Sequence, residues 1–256
     1  MKFLVIKKSL IAFVLCFCLL LGGYIVPGSG TDSVASVFFG NTSGRRIPIY
    51  GVETEKKQIA ISFDAAWGAD KTADIMKILK EYDVGATFFL VGFWVKEYPE
   101  MVKQIDENGF EIGTHSNTHP DMAKLSEADI RSELETSVKL ITDITQKDVK
   151  LFRAPFGSYN NTLINTAESL GLTTIQWTLD GLDWKGISAK DIVNRVVSKV
   201  SAGNIVLFHN NSDHIVEALP IILERLKMQG YTITCVGDLI LKDNFTIDHA
   251  GVQKKL

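Results

Sequence analysis

Cysteine is scarce: the 256 residues contain three, and no two are spaced as Cys-x-x-Cys. Cys16 and Cys18 lie in an apolar run at the N-terminus, and Cys235 stands alone near the other end. This argues against a disulfide framework, so the fold must rest on its core. An excess of either charge is also missing. Lys and Arg number 27 against 30 Asp and Glu, a formal net charge of −3. That balance carries no electrostatic footprint for nucleic acid. Nor does a glycine-rich phosphate loop follow any apolar segment, which weakens the case for a nucleotide-binding open sheet.

What is present is a globular composition, 46% hydrophobic and 22% charged, over a length that suits one barrel-sized domain or at most two small ones. Lys2, Lys7 and Lys8 precede an apolar stretch from Leu10 to Val26. Residues 1–26 therefore read as a signal or anchor segment, with a cytoplasmic N-terminus and an extracytoplasmic remainder. Neither Gly28-Ser-Gly30 nor Val34-Ala-Ser36 is a clean cleavage site, which favours an uncleaved membrane anchor over a secreted product. Residues 27–57, rich in Gly, Ser and Thr, read as a stalk. Residues 58–240 make the folded domain, and residues 241–256 a polar surface tail.

From Gln58 a rhythm begins. Buried strands are predicted over Gln58–Asp64, Ala86–Gly92, Glu111–Ser116, Leu151–Pro155, Thr173–Asp180, Asn204–His209 and Tyr231–Val236. Helical spacing lies between them, at Asp70–Tyr82, from Ser126 onward, and at Asn161–Leu170, Ala189–Val200 and Ile215–Met228. Such alternation implies an α/β fold of parallel strands with right-handed crossovers. A closed or nearly closed barrel and an open doubly wound sheet both fit it.

The polar residues discriminate. Asp64, His115, Arg153, Asp180 and His209 stand at or near the ends of five predicted strands, where a β/α barrel keeps its chemistry. His119 follows His115 by four, a spacing that brings two imidazoles together on a helical turn around one divalent metal. Singly, each has a bland role: Asp64 a helix cap, His209 a core histidine, Arg153 a salt bridge, Trp184 packing. Their joint placement is what packing does not explain.

In order along the chain, Ser62-Phe-Asp64, the His115/His119 pair, Arg153-Ala-Pro-Phe-Gly157, Asp183-Trp184 and Leu207-Phe-His209 resemble five motifs of the polysaccharide deacetylases with the NodB homology domain, carbohydrate esterase family 4. Phe63-Asp-Ala-Ala-Trp-Gly68, Asn210-Asn211 and Ala218–Leu223 are most similar to its sporulation-associated branch. The resemblance implies a distorted (β/α)7–8 barrel acting on an N-acetylated glycan polymer, a cell-wall or spore-envelope polysaccharide of the peptidoglycan type. The implied reaction is metal-dependent hydrolysis of N-acetyl groups, releasing acetate. Carried onto these positions, Asp64 is the base, Arg153 holds its charged form, His209 is the acid and Asp183 orients it. Trp184 and Leu207 wall the acetyl pocket, Pro155 and Tyr159 belong to the substrate-binding set, and a backbone N–H near Tyr159 helps hold the oxyanion. His115 and His119 hold the divalent metal, zinc or cobalt.

One departure stands out. Where most members carry Asp-Asp in the first motif, with the second a metal ligand, this chain has Asp64-Ala65. Asp70 is the nearest replacement carboxylate, though it stands where a helix cap is expected. The loss implies weaker metal binding, and it keeps open an alternative: a catalytically impaired, glycan-binding envelope protein.

Overall fold

The computed structural model describes residues 44–256. The segment predicted to signal or anchor, and most of the stalk, lie outside the described residues. Among the described residues no helix is long and apolar enough to cross a membrane.

A short strand, β1 (Gly51–Val52), precedes the main sheet, which consists of β2 (Gln58–Ala65), β3 (Thr87–Leu90), β4 (Glu111–Thr114), β5 (Leu151–Phe152), β6 (Thr173–Thr174), β7 (Leu179–Asp180), β8 (Ile205–His209) and β9 (Thr232–Thr234). Their order is β6-β5-β4-β3-β2-β8-β7, with β9 added on β2, and every pairing is parallel. This is the expected α/β class, a curled parallel sheet forming part of a barrel.

Side chains alternate across β2. Ile59, Ile61, Phe63 and Ala65 join the larger core shared with the helices, whereas Ala60 joins an inner core with Phe89, Leu151, Ile175 and Ile205. Ser62 and Asp64 share the inner face with Ala60. Register then sets the level of the chemistry: Asp64 lies opposite His209, and Thr114 opposite Phe152, so the residues just beyond those strands emerge at one end of the sheet.

The helices are α1 (Thr72–Glu81), α2 (Gly92–Glu97), α3 (Pro99–Glu107), α4 (Glu127–Thr145), α5 (Asn161–Ser169), α6 (Ala189–Lys199), α7 (Ile215–Met228) and α8 (Val236–Leu239). The Ser126 hydroxyl caps α4 by accepting from Asp129 N–H at 3.2 Å, the role a helix-starting serine is suited to.

Three features differ from expectation. Helices α2 and α3 fill a stretch where none was predicted. Both are short and neither has a side-chain cap bond; Pro99 at the first position of α3 and Glu100 in its first turn are start signals that the predicted rhythm passed over. The segment Thr173–Asp180 is two strands, not one. Between them Gln176 N–H donates to Ile49 O at 2.7 Å, while Gln176 O accepts from Arg153 Nη2 at 3.2 Å. Finally, residues 44–57 of the predicted stalk, and the predicted tail, pack as structure. Gly51–Val52 pairs in parallel with β11 (Val252–Lys255), which also takes β10 (Phe245–Ile247) antiparallel. The Gln253 side chain is fully buried and bonds both Leu241 N–H and Leu241 O. Ile49 N–H donates to Thr174 O and Val52 N–H to Gly203 O, tying this small sheet to the main one. The polar composition of 241–256 concealed two strands whose backbone groups are satisfied by each other and by β1.

Candidate active site

At the carboxyl ends of the strands lies a cavity of about 750 Å³, and Asp64, His115, His119, Asp180, Asp183, Trp184, Leu207 and His209 all line it. Arg153 sits beneath, fully buried. Its Nη1 donates to Asp64 Oδ1 at 2.7 Å, its Nη2 donates to Ser62 Oγ at 2.9 Å, and its guanidinium lies 4.1 Å from the Phe89 ring centre. Ser62 points at Arg153 because it is two residues before Asp64 on the same face of β2. Burial pushes the Asp64 carboxyl up, but Arg153, His115 and His209 together outweigh it and hold the group below its ordinary value.

His115 is buried, and its Nδ1 lies 2.8 Å from Arg153 O. A carbonyl only accepts, so Nδ1 carries the hydrogen and the neutral ring turns an unprotonated Nε2 into the cavity. That Nε2 is 3.5 Å from Asp64 Oδ2. Burial lowers the pKa of His115, with the Arg153 and His209 charges adding to the effect, although Asp64 opposes it. His119 is pushed down to about 4, first by burial and then by His115. The two rings stand edge to face, 5.0 Å apart.

They do not share a helical turn, as the spacing had suggested. They flank a loop in which Ser116 and His119 both take left-handed backbone, φ 70° and 60°. Two residues that sequence reasoning missed hold this loop. Glu133, reaching up from α4, accepts from the N–H groups of Asn117 and Thr118, both at 2.8 Å, and from Thr118 Oγ1 at 2.7 Å. Gly92 donates to Ser116 O, and a Cβ there would stand 2.9 Å from Asn117 Cα, so only glycine admits the loop. The turn of α4 that carries Glu133 gave no sign of it, because a surface glutamate on a helix is ordinary.

Across the cavity, His209 Nδ1 is 2.9 Å from Asp183 Oδ1, and the His209 N–H donates to Asp183 Oδ2 at 2.8 Å. Burial lowers the pKa of His209, but the bond to Asp183 and its charge, with Asp64 and Asp180, reverse this and raise it overall. Leu207 is buried at the cavity wall and Trp184 is exposed at its mouth. Pro155 and Tyr159 do not line the cavity. Tyr159 instead meets Tyr50, hydroxyl to hydroxyl at 3.4 Å, with Arg45 over its ring. Asp70 does not line the cavity and is not a cap: its side chain is exposed beside Lys71 at 3.5 Å, and α1 starts without a side-chain cap bond. Asn210, which the sequence marked only as part of a motif, is buried and donates to Gly68 O and Thr72 Oγ1, fastening the loop after β2.

Residues 51–175 match the polysaccharide deacetylase family model. A peptidoglycan-N-acetylglucosamine deacetylase of Bacillus cereus is 34% identical over 74% of this chain and 91% of its own length. The chain belongs to the polysaccharide deacetylase family. YlxY of Bacillus subtilis is 33% identical over 75% of the chain, but the chain spans only 60% of that protein. Among solved structures, BA3943 of Bacillus anthracis, described as a carbohydrate esterase family 4 pseudoenzyme, is 37% identical, with a TM-score of 0.74 over 75% of this chain and 68% of that one. A mutant of BA3943 described as having restored enzymatic activity is 39% identical, with a TM-score of 0.73 over 75% and 71% of the two chains.

The metal expected of the family can be tested against the donors present. Catalytic zinc sites draw three ligands from the protein. His115 and His119 supply two imidazoles, Ala65 supplies a methyl group, and among the described residues no three His, Cys, Asp or Glu side chains gather closely enough to hold an ion. The donor set does not fit a three-ligand resident metal.

Proposed function

We propose that this deacetylase-family domain hydrolyses N-acetyl groups on a peptidoglycan-type glycan outside the membrane, releasing acetate at a low rate. The observation that supports this best is the pairing of a held carboxylate, Asp64–Arg153, with a held imidazole, Asp183–His209, on two sides of one cavity. A binding surface has no need of both.

Asp64 Oδ1 is occupied by Arg153, which leaves Oδ2 to accept a proton from the attacking water as its oxygen adds to the acetyl carbonyl. Arg153 keeps the carboxylate charged and fixed. As the C–N bond breaks, His209 Nε2 delivers a proton to the departing amine. Asp183 holds the Nδ1 hydrogen and stabilises the imidazolium, so the ring is charged when its proton is needed. Leu207 and Trp184 suit the apolar acetyl methyl. A zinc or cobalt ion on His115 and His119 alone binds weakly in this scheme, and titration of His115→Ala beside the parent tests that contribution.

The deciding assay measures acetate released from N-acetylglucosamine oligomers or purified peptidoglycan by the parent and by Asp64→Asn. A loss of about a hundredfold or more is expected for removing a general base. Release that Asp64→Asn retains in full sinks the mechanism. A second reading, a glycan-binding protein with impaired catalysis in the cell or spore envelope, is favoured by Ala65 and by the likeness to a protein described as a pseudoenzyme. It is selected if the parent binds oligomers and releases nothing.

The acid role makes a prediction about pH. A pKa raised in the folded protein extends His209's protonated form to higher pH, so acetate release falls on the alkaline side as His209 discharges. Asp183→Asn removes the main raising partner, and the alkaline limb of the rate profile should move to lower pH. An unmoved limb assigns that limb to another group.

A further inference from the structure

We infer that Glu133 on α4 is the positioning residue for His119, its carboxylate fixing the loop that presents this imidazole beside His115 in the cavity. The inference deepens the hydrolase reading above and rests on it. The two histidines are placed by different means. His115 is held through its ring, by the bond from Nδ1 to Arg153 O at 2.8 Å, and through the strand that ends just before it. There the Thr114 and Ser137 hydroxyls, both buried, meet at 2.6 Å. The His119 ring meets its neighbours edge to face, with ring centres 5.0 Å away for His115, 5.1 Å for Trp67 and 4.8 Å for Phe156. Each such contact is weak, so the backbone of residues 116–119 decides where the ring points.

That backbone does not keep its shape unaided. Ser116 and His119 both stand in the left-handed region, which side chains other than glycine avoid. Within the loop, His119 N–H donates to Ser116 Oγ at 2.9 Å. The bonds from Gly92 N–H to Ser116 O and from Phe93 N–H to Asn117 O hold its first half. Glu133 holds the half that leads into His119, through both Thr118 groups and the Asn117 N–H. Hydrogen bonds to a carboxylate are about twice as strong as those between neutral groups, which suits them to holding a strained loop. Glu133 and Ser137 stand one turn apart on α4 and so share a face. Their surroundings differ: Ser137 is buried against the end of β4, whereas Glu133 is half-buried and the Thr118 it holds is exposed. Water can replace the bonds of Glu133 but not that of Ser137. Losing Glu133 should therefore cost placement more than stability.

The test compares the full-length parent with Glu133→Ala, Glu133→Gln and Ser137→Ala. It reads kcat and KM for acetate release from N-acetylglucosamine oligomers, the NMR signals of isotope-labelled histidine, and the melting temperature. His119→Gln identifies the His119 signals by their loss. Glu133→Ala should shift those signals and lower kcat by about ten- to a hundredfold with KM within about twofold, the pattern of a misplaced group. Alanine suits a helix, so the melting temperature should hold. In Glu133→Gln the amide oxygen can accept both N–H groups while the amide N–H donates to Thr118 Oγ1. Signals should then return, and kcat should lie within about threefold of the parent. Ser137→Ala should do the opposite, lowering the melting temperature by stranding the Thr114 hydroxyl while the His119 signals and kcat stay. His119 signals unmoved in Glu133→Ala, moved signals with kcat unchanged, or a loss that Glu133→Gln shares in full overturns the assignment. A parent that releases no acetate sinks the hydrolase reading, and the His119 signals then decide the assignment by themselves.

Discussion

Replacing Arg153 by Met should cost the fold about 3–5 kcal/mol, a large share of the roughly 5–15 kcal/mol that holds a domain together. Arg153 and Asp64 are both almost wholly withdrawn from water, at 0% and 7% side-chain exposure. Met fills much of the arginine's volume but leaves the carboxylate buried without its cation, and it leaves Ser62 Oγ and Gln176 O without their donor. The double variant Asp64→Asn/Arg153→Met should lose clearly less than the sum of the two single changes, because it removes the stranded charge.

The pH dependence of stability should change sign as well. In the parent, Asp64 is held below its ordinary value, so its contribution is complete above the unfolded pKa, about 3.9, and is lost as pH falls through the folded one. In Arg153→Met the burial that already opposes ionisation loses its main opponent, and the folded pKa rises above the unfolded value. The folded state then binds more protons than the unfolded one, and this group's share of stability falls as pH rises. Thermal unfolding of both proteins between about pH 2 and pH 7 reads the slopes, the parent's below about pH 4 and the variant's above it. Parallel slopes, or a loss below about 1 kcal/mol, would show that the pair holds little of the fold.

The level of the site was legible because core packing seldom sets charged and imidazole side chains at strand ends, and Asp64, His115, Arg153 and His209 each stood there. The supports were not. Glu133 is an acidic residue on an exposed-looking helix, and nothing local says that its carboxylate closes a loop from more than a dozen residues away. Gly92 looked like the end of a strand, whereas its role is set by Asn117, which the chain brings against it only after folding. The His115/His119 spacing pointed to a shared metal site, but the backbone between them was beyond reach: a four-residue spacing fits a helical turn and a left-handed loop equally well. Trp67 lay within a recognised motif variant, yet its contact with His119 depends on where the loop after β2 is fastened by Asn210 and by Trp94 Nε1, which donates to Gly68 O at 2.7 Å. Periodicity reports faces, and these residues act through loops.

Ala65→Asp is expected to convert the cavity into a three-ligand metal site and to raise acetate release, while making stability depend on zinc. Ala65 ends β2, beside Leu90 in the register, and its N-terminal neighbour Asp64 already faces His115. Its own methyl group is fully buried in the core shared with the helices, so the new carboxylate has two destinations. In a chelator it is a charge in an apolar setting, its pKa rises, and the variant should melt well below the parent. With zinc present it can turn at the open strand end, where Ala66 already lines the cavity, and join His115 and His119. Binding then stabilises the folded form alone, by about 2.7 kcal/mol at a zinc concentration one hundred times the dissociation constant. Zinc affinity should exceed the parent's by roughly tenfold or more, since even supporting residues around metals are worth 10–100-fold. The measurements are melting temperature and acetate release against free zinc, for the parent, for Ala65→Asp, and for Ala65→Asp with His115→Ala. Recovery of the melting temperature by zinc that His115→Ala abolishes, together with faster acetate release, would identify Ala65 as the cause of the low rate proposed above. A melting temperature that stays depressed at every zinc concentration shows instead that position 65 belongs to the core of this chain and that a carboxylate there does not complete a metal site.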